Sequence, residues 1–376
     1  MPDTLITHLK GQHSPLIREW IYRIGFLIFA LLLFFFAIDL MIHTTAAITN
    51  KTFNELVSVA RNPFISFFIG ILSTAIIQSS STTSSMVVAM VASGTLPFTS
   101  GIYIIMGANI GTTITSDIIS LAYIIRKNEF QRALASATIH DFFNIFTAAI
   151  LLPLEYYYHF LSNIALFISG FVSGGHHELY QFTPTDVSLI TPVSNWIIHL
   201  IGNDIIPLIL GIVLLFLAIK FMTQIIYKSL IGDSREKLKK YIFNNPLKSF
   251  SWGFLFTGAL QSSSITTSLI IPLAATGKIL LPSVFPFIMG ANVGTTVTAI
   301  MASLFKSNAA ISIAVAHLMF NAIGTLVFLP FAPVRNFVVR VAERFSFLAS
   351  GRRINFFIYI LLTFFLIPFL LIYLSK

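Results

Sequence analysis

The sequence predicts an all-α polytopic membrane protein made of two inverted-topology repeats. Each repeat is expected to carry a re-entrant, broken-helix hairpin bearing Gln-Ser-Ser-Ser. Three observations predict this: a composition too apolar for water, an internal repeat, and an uneven distribution of Lys and Arg. Of 376 residues, 56% are hydrophobic and 10% charged, and 38 are Phe. A soluble domain carries roughly a quarter charged residues. The 23 basic and 14 acidic side chains cannot cover a body of this size. That excludes an ordinary cytosolic enzyme, a disordered chain and a secreted disulfide scaffold. Cys is absent, so no Cys-ligated metal is expected. The net charge of +9 fits Lys and Arg gathered in cytoplasmic loops better than it fits a nucleic-acid partner.

Taken in order, residues 1–19 form a polar and basic cytoplasmic segment. The apolar run Ile24–Ile42, interrupted by Asp39, exceeds the ~7–15 residue core of a signal peptide. It is expected to be a retained transmembrane helix. The first repeat spans 20–155. Residues 156–204 are an interfacial segment and external loop, which holds His176 and His177. The second repeat spans 205–345, and residues 346–376 add a C-terminal transmembrane helix with no clear partner in the first half. Asn50-Lys51-Thr52 matches a glycosylation acceptor pattern on the predicted outer side.

The repeat is read by shifting the chain 183 residues, which gives 21 identities in 47 positions over residues 70–116. Gln78-Ser79-Ser80-Ser81 falls on Gln261-Ser262-Ser263-Ser264. The Gly-Ala-Asn-Ile-Gly-Thr-Thr of 107–113 falls on the Gly-Ala-Asn-Val-Gly-Thr-Thr of 290–296. After a six-residue difference in loop length, His140 and Asn144 meet His317 and Asn321, and Pro153 meets Pro330. Arg132 and Lys220 enclose a stretch without any Lys or Arg, and its polar segment 174–204 belongs outside. The basic clusters Lys10–Arg23, Arg126–Arg132, Lys228–Lys248 and Arg335–Arg353 belong inside. The halves then run in opposite directions, an architecture of secondary transporters with the site at the repeat interface.

Gln78–Ser85 is eight consecutive polar residues between apolar runs. The flanking stretches from Pro63 and Pro246, and on to Gly94 and Gly277, are too short to cross twice as full helices. A polar, non-helical tip at that depth is tolerated only inside protein or facing a watery cavity. Hydroxyl and amide oxygens suit a hard cation such as Na⁺. The same hydroxyls, with the free amides of a helix N-terminus, suit an oxyanion. The alternative is helix contact through small polar residues. The glycines of the second motif allow the backbone to unwind or to approach closely. Asn109, Asn292, Thr112, Thr113, Thr295 and Thr296 supply oxygens there. Asp141 is the acid singled out, because an ionisable residue inside an apolar span is a functional candidate. The competing reading places it near the cytoplasmic end, solvated or paired with Arg132. His140 with Asn144, and His317 with Asn321, share helix faces and suit structural hydrogen bonding or gating. Walker A, zinc-protease and Ser-His-Asp patterns are absent.

These paired motifs, with His140-Asp141-Phe142-Phe143-Asn144 before Pro153, resemble the type II sodium-dependent phosphate cotransporters, in a bacterial-type form. The resemblance covers roughly residues 60–155 and 245–345. It implies symport of inorganic phosphate with Na⁺ as the coupling ion, no other cofactor, and no enzymatic activity. It implies substrate contacts at Ser79, Ser80, Ser81, Ser262, Ser263 and Ser264, and the neighbouring polar side chains of Thr82, Asn109 and Asn292 are read as further substrate contacts. It implies Na⁺ contacts at Gln78, Gln261, Ser262, Thr295, Thr296 and Asp141, and the matching hydroxyls of Thr112 and Thr113 are read as Na⁺ contacts too. An acid at position 141 goes, in that family, with electrogenic transport. The expected setting is a bacterial inner membrane with the N-terminus cytoplasmic, as a monomer or homodimer. A Na⁺-coupled carrier of another oxyanion, a phosphate exporter and an ion channel stand as alternatives.

Overall fold

The computed structural model describes residues 3–47, 59–172, 190–203, 205–230, 242–304 and 307–374. His176, His177 and the Asn50-Lys51-Thr52 tripeptide lie outside the described residues. Among the described residues every regular element is a helix. Seven helical stretches there are long and apolar enough to cross a membrane, which makes this a multi-pass membrane protein.

The elements recur in one order. Helix α1 (Asp3–Ala47) lies along α9 (Ile205–Leu230). Then come α2 (Pro63–Ile77), α3 (Ser80–Ala92), α4 (Phe98–Gly111) and the short α5 (Ile114–Ser120). Their matches are α10 (Pro246–Leu260), α11 (Ser263–Ala275) and the single α12 (Leu281–Ser303). Helix α6 (Lys127–Tyr158) matches α13 (Asn308–Phe328), and α7 (Phe160–Val172) matches α14 (Ala332–Gly351). Helix α8 (Thr191–Ile201) packs on α1. Helix α14 continues to Gly351, so the last helix, α15, begins only at Arg353 and runs to Leu374. It widens into a π turn over Leu361–Leu366, just before Pro368, which has no amide hydrogen to close a regular turn.

Caps set the entry to each motif segment. Asn62 Oδ1 accepts from Phe64 N at 3.0 Å, and Asn245 Oδ1 from Lys248 N at 2.8 Å. Pro63 and Pro246 then occupy the first helical position, where a missing amide hydrogen costs nothing.

The glycines of the second motif choose between the two uses expected of them. A Cβ on Gly107 would overlap the carbonyl of Phe67, and one on Gly290 that of Phe250. Gly111 and Gly294 are pressed in the same way against Ile71 and Phe254. Helices α2 and α4, and α10 and α12, therefore touch backbone to backbone, the close approach that glycine alone permits. Unwinding is slight: Thr112 and Thr113 keep right-handed helical angles between α4 and α5, and α12 runs unbroken through Thr295 and Thr296.

The Ser-bearing helices pack against the opposite half. Helix α3 lies on α12 and α13, and α11 lies on α5 and α6. The two halves thus share one core.

Candidate functional site

The site is built on two helix breaks made by the same two residues. Gln78 ends α2 in the left-handed region at φ 58°, and Gln261 ends α10 at φ 54°. A non-glycine residue there costs about 1–2 kcal/mol. The same outlier in both copies is strain that the surroundings must hold in place. The next residue, Ser79 or Ser262, is extended and caps the new helix. Ser79 Oγ accepts from Thr82 N at 3.2 Å, and Ser262 Oγ from Ile265 N at 3.4 Å. Chain direction then does the electrostatics. The carbonyl end of α2 or α10 meets the amide end of α3 or α11 at one point. Carbonyl and hydroxyl oxygens can hold a cation there, and the first amides with their hydroxyls can hold an anion.

The breaks reach into each other. Ser81 Oγ donates to the carbonyl of Gln261 at 2.8 Å, and Thr298 Oγ1 donates to Ser81 Oγ at 3.3 Å. Ser116 Oγ donates to Thr267 Oγ1 at 3.1 Å, tying α5 to α11. Ser80, Ser81, Thr82 and Ser263 are buried, while Ser79, Ser262 and Ser264 are half-buried. The glutamines differ: Gln78 is exposed, whereas Gln261 is 5% exposed and donates from Nε2 to Met301 Sδ at 3.1 Å. Its Oε1 accepts no hydrogen bond from the described residues.

A second chain of bonds joins the asparagines and one of the histidines. His140 Nε2 donates to Asn292 Oδ1 at 2.6 Å, and Asn292 Nδ2 donates to Asn144 Oδ1 at 2.7 Å. Asn144 Nδ2 donates to the carbonyl of Asn109 at 2.6 Å. Asn321 Nδ2 donates to Asn109 Oδ1 at 3.0 Å and to the carbonyl of His317 at 3.2 Å. All six residues are buried. Asn292 therefore spends its amide on this bridge between halves, whereas Asn109 lends the bridge its Oδ1 and donates Nδ2 to the carbonyl of Ile105 at 2.8 Å. Thr113, Thr295 and Thr296 donate to helix carbonyls of Ile110, Ala291 and Val293, which leaves their lone pairs free. Thr112 Oγ1 is buried without a partner among the described residues.

Asp141 is fully buried and accepts from Tyr359 Oη at 2.8 Å. It is neither solvated nor paired with Arg132, whose guanidinium lies against Gly277 instead. Thr113 and Asp117 border it. Two of these neighbours are not foreseen by the sequence reading. Asp117, which no motif of the sequence singles out, is a fully buried residue of α5. The isoleucines around it, Ile114, Ile118 and Ile119, are the signal that could have found it. Tyr359 arrives from α15, the helix without a repeat partner, so no motif comparison reaches it. A cleft of about 590 Å³ opens between α6, α11 and α14, lined by Arg132, Ala135, Ala274, Gly277 and Glu343.

Comparison with known proteins identifies the family. The model of the Na⁺/Pi-cotransporter family matches residues 33–224 and 214–353. The chain is 29% identical to human sodium-dependent phosphate transport protein 2B over 408 residues, covering 83% of this chain and 59% of that protein. It is 30% identical to the sheep (Ovis aries) transport protein 2A over 388 residues, covering 83% and 61%. With the mouse transport protein 2B it shares 28% over 449 residues, covering 94% and 64%. The chain thus spans about three fifths of the length of the curated relatives it matches. No solved structure matches it. The family match runs through both helix breaks, the asparagine bridge and Asp141, and the chain belongs to the Na⁺/Pi-cotransporter family, whose members are transporters and not enzymes.

Proposed function

We propose that this protein carries inorganic phosphate across the plasma membrane together with Na⁺, and that net charge moves with each phosphate. Phosphate and Na⁺ sit at the paired helix breaks, which are the tips of two re-entrant hairpins in repeats of opposite topology. The single observation that carries this reading is the bond from Ser81 Oγ to the carbonyl of Gln261, which brings the two breaks to one place.

The hydroxyls of Ser80, Ser81, Ser263 and Ser264, with the first amides of α3 and α11, bind the phosphate oxygens. The carbonyl ends of α2 and α10, the glutamine oxygens and the threonine lone pairs bind Na⁺. Among the described residues of these breaks there is no Lys or Arg, so the anion's charge is balanced by helix ends and by co-bound cations. That requirement couples the two substrates: neither binds well in the other's absence. The names of the relatives, sodium-dependent phosphate transport proteins, support the pairing of ions.

The test is radiolabelled phosphate uptake into proteoliposomes, with an inward Na⁺ gradient compared with an equal K⁺ gradient, at zero and inside-negative potential. Uptake that needs Na⁺ and grows with inside-negative voltage is expected. A folded, reconstituted protein with no Na⁺-dependent uptake would overturn the reading.

A further inference from the structure

Two carboxyls share one dry place in the first half of the molecule. Asp117 on α5 and Asp141 on α6 meet side chain to side chain, and both are 0% exposed. Three of their four oxygens, both of Asp117 and Oδ1 of Asp141, accept no hydrogen bond from the described residues. The fourth is held by Tyr359 Oη. Among the described residues neither acid forms an ion pair. Like charges this close, out of water, repel strongly, and buried acceptors left empty are costly. A native structure keeps such an arrangement where a bound cation or a shared proton neutralises it.

The internal repeat says that the fold does not need it. The 183-residue shift places Asp117 on Ile300, and the His140–His317 match places Asp141 on Leu318. The second half packs the same two positions with apolar side chains. The acids are present together in one copy and absent together in the other, as expected of two ligands of one ion. Thr113, beside Asp141, adds a hydroxyl oxygen.

We propose that Asp117 is a direct cation ligand, which with Asp141 forms a two-carboxylate Na⁺ site confined to the first repeat. This rests on the Na⁺-coupled reading above. Hard monovalent cations take oxygen donors, and this place offers three unclaimed carboxylate oxygens and a hydroxyl. Its position also reaches the second break, because the adjacent Ser116 bonds Thr267 on α11. Filling the site fixes α5 against α6 at the point where α5 holds α11.

The experiment uses the full chain in detergent without phosphate. Thermal unfolding is followed as NaCl replaces choline chloride at constant ionic strength, and the half-maximal Na⁺ concentration is read. Asp117→Asn is expected to raise that concentration at least about tenfold, the loss typical of disturbing a metal site. The double variant Asp117→Ile with Asp141→Leu copies the apolar pair of the second repeat, and is expected to fold while losing this Na⁺ response. A wild-type Na⁺ response in Asp117→Asn, or in the folded double variant, overturns the proposal. Phosphate uptake is a separate readout. A Na⁺ response that depends on Asp117 in a protein moving no phosphate upholds the site and removes the transport reading. Na⁺-driven uptake with an unchanged response in Asp117→Asn does the reverse.

Discussion

His140 Nε2 and Asn292 Oδ1 lie 2.6 Å apart and bond one half of the molecule to the other. The repeat-related pair does not reproduce the bond: Asn109 Oδ1 accepts from Asn321 rather than from His317. The bridge is therefore asymmetric although its residues recur. Because Oδ1 can only accept, His140 carries its proton on Nε2. Asn292 is held at both ends, by His140 and by Asn144. Replacing either partner leaves a buried polar group unsatisfied, at a cost of about 1–3 kcal/mol. His140→Ala and Asn292→Ala should each destabilise the detergent-solubilised protein by that amount. The double variant should cost less than the sum, by about 1 kcal/mol. Strictly additive losses in denaturant titrations would show that the bond contributes nothing of its own.

Ser81 is the residue through which the two breaks communicate. Ser81→Ala removes the donor to Gln261 and the acceptor for Thr298. About 1 kcal/mol of lost hydrogen bonding corresponds to roughly fivefold weaker apparent affinity for phosphate or Na⁺. Membrane insertion should be unaffected, because the helices around it keep their apolar surface. Ser80→Ala and Ser263→Ala should also slow uptake. Wild-type kinetics in all three variants would remove the breaks from the substrate path.

Asp141→Gly should lower the charge moved per phosphate. The measurement pairs transport current with radiolabel uptake in the same vesicles. An unchanged ratio of current to phosphate would return Asp141 to a purely structural role beside Tyr359.

The packing glycines give a prediction about stability alone. Gly107→Ala and Gly290→Ala each drive a methyl group into a backbone carbonyl that cannot rotate away. Overpacking of this kind costs about 1–3 kcal/mol or more. Both should lower the thermal midpoint in detergent or abolish recovery of folded protein. Gly25→Ala serves as the control, since nothing lies within 4 Å of its added Cβ. It should be neutral or slightly stabilising, by up to about 1 kcal/mol. Equal behaviour of all three would contradict the backbone contacts between α2 and α4 and between α10 and α12.

The sequence carried the repeat, the helix breaks and the polar identities of the site, because each is written locally. A Gln-Ser step flanked by apolar runs states both where a helix stops and where the next one is capped. Asp141 was visible for the same reason: an acid inside an apolar span is conspicuous. Asp117 was not, because the segment after Thr113 is followed closely by Arg126 and Lys127 and reads as a loop. Its burial comes from α6 and α11 closing over α5, which no window of that segment contains. Tyr359 was hidden more deeply. It is one aromatic among many in an apolar helix, and its partner is 218 residues away. The bond directions within the asparagine bridge were likewise beyond sequence. Recurrence of His and Asn suits hydrogen bonding in both halves, but does not say that the pairs bridge them or which amide meets which ring.

Gln78 and Gln261 have the same side chain and nearly the same backbone angles, yet one is exposed and the other enclosed. Local chemistry cannot produce that difference, so it reports the arrangement of everything around them. The pair is a two-position gauge built into the chain. In a protein that has no cysteine of its own, a single cysteine placed at 78 or at 261 would read the gauge directly by its rate of thiol labelling. If the protein works as proposed above, a crossing of the two rates as Na⁺ and phosphate are varied outside would time the exchange of access between the two sides of the membrane.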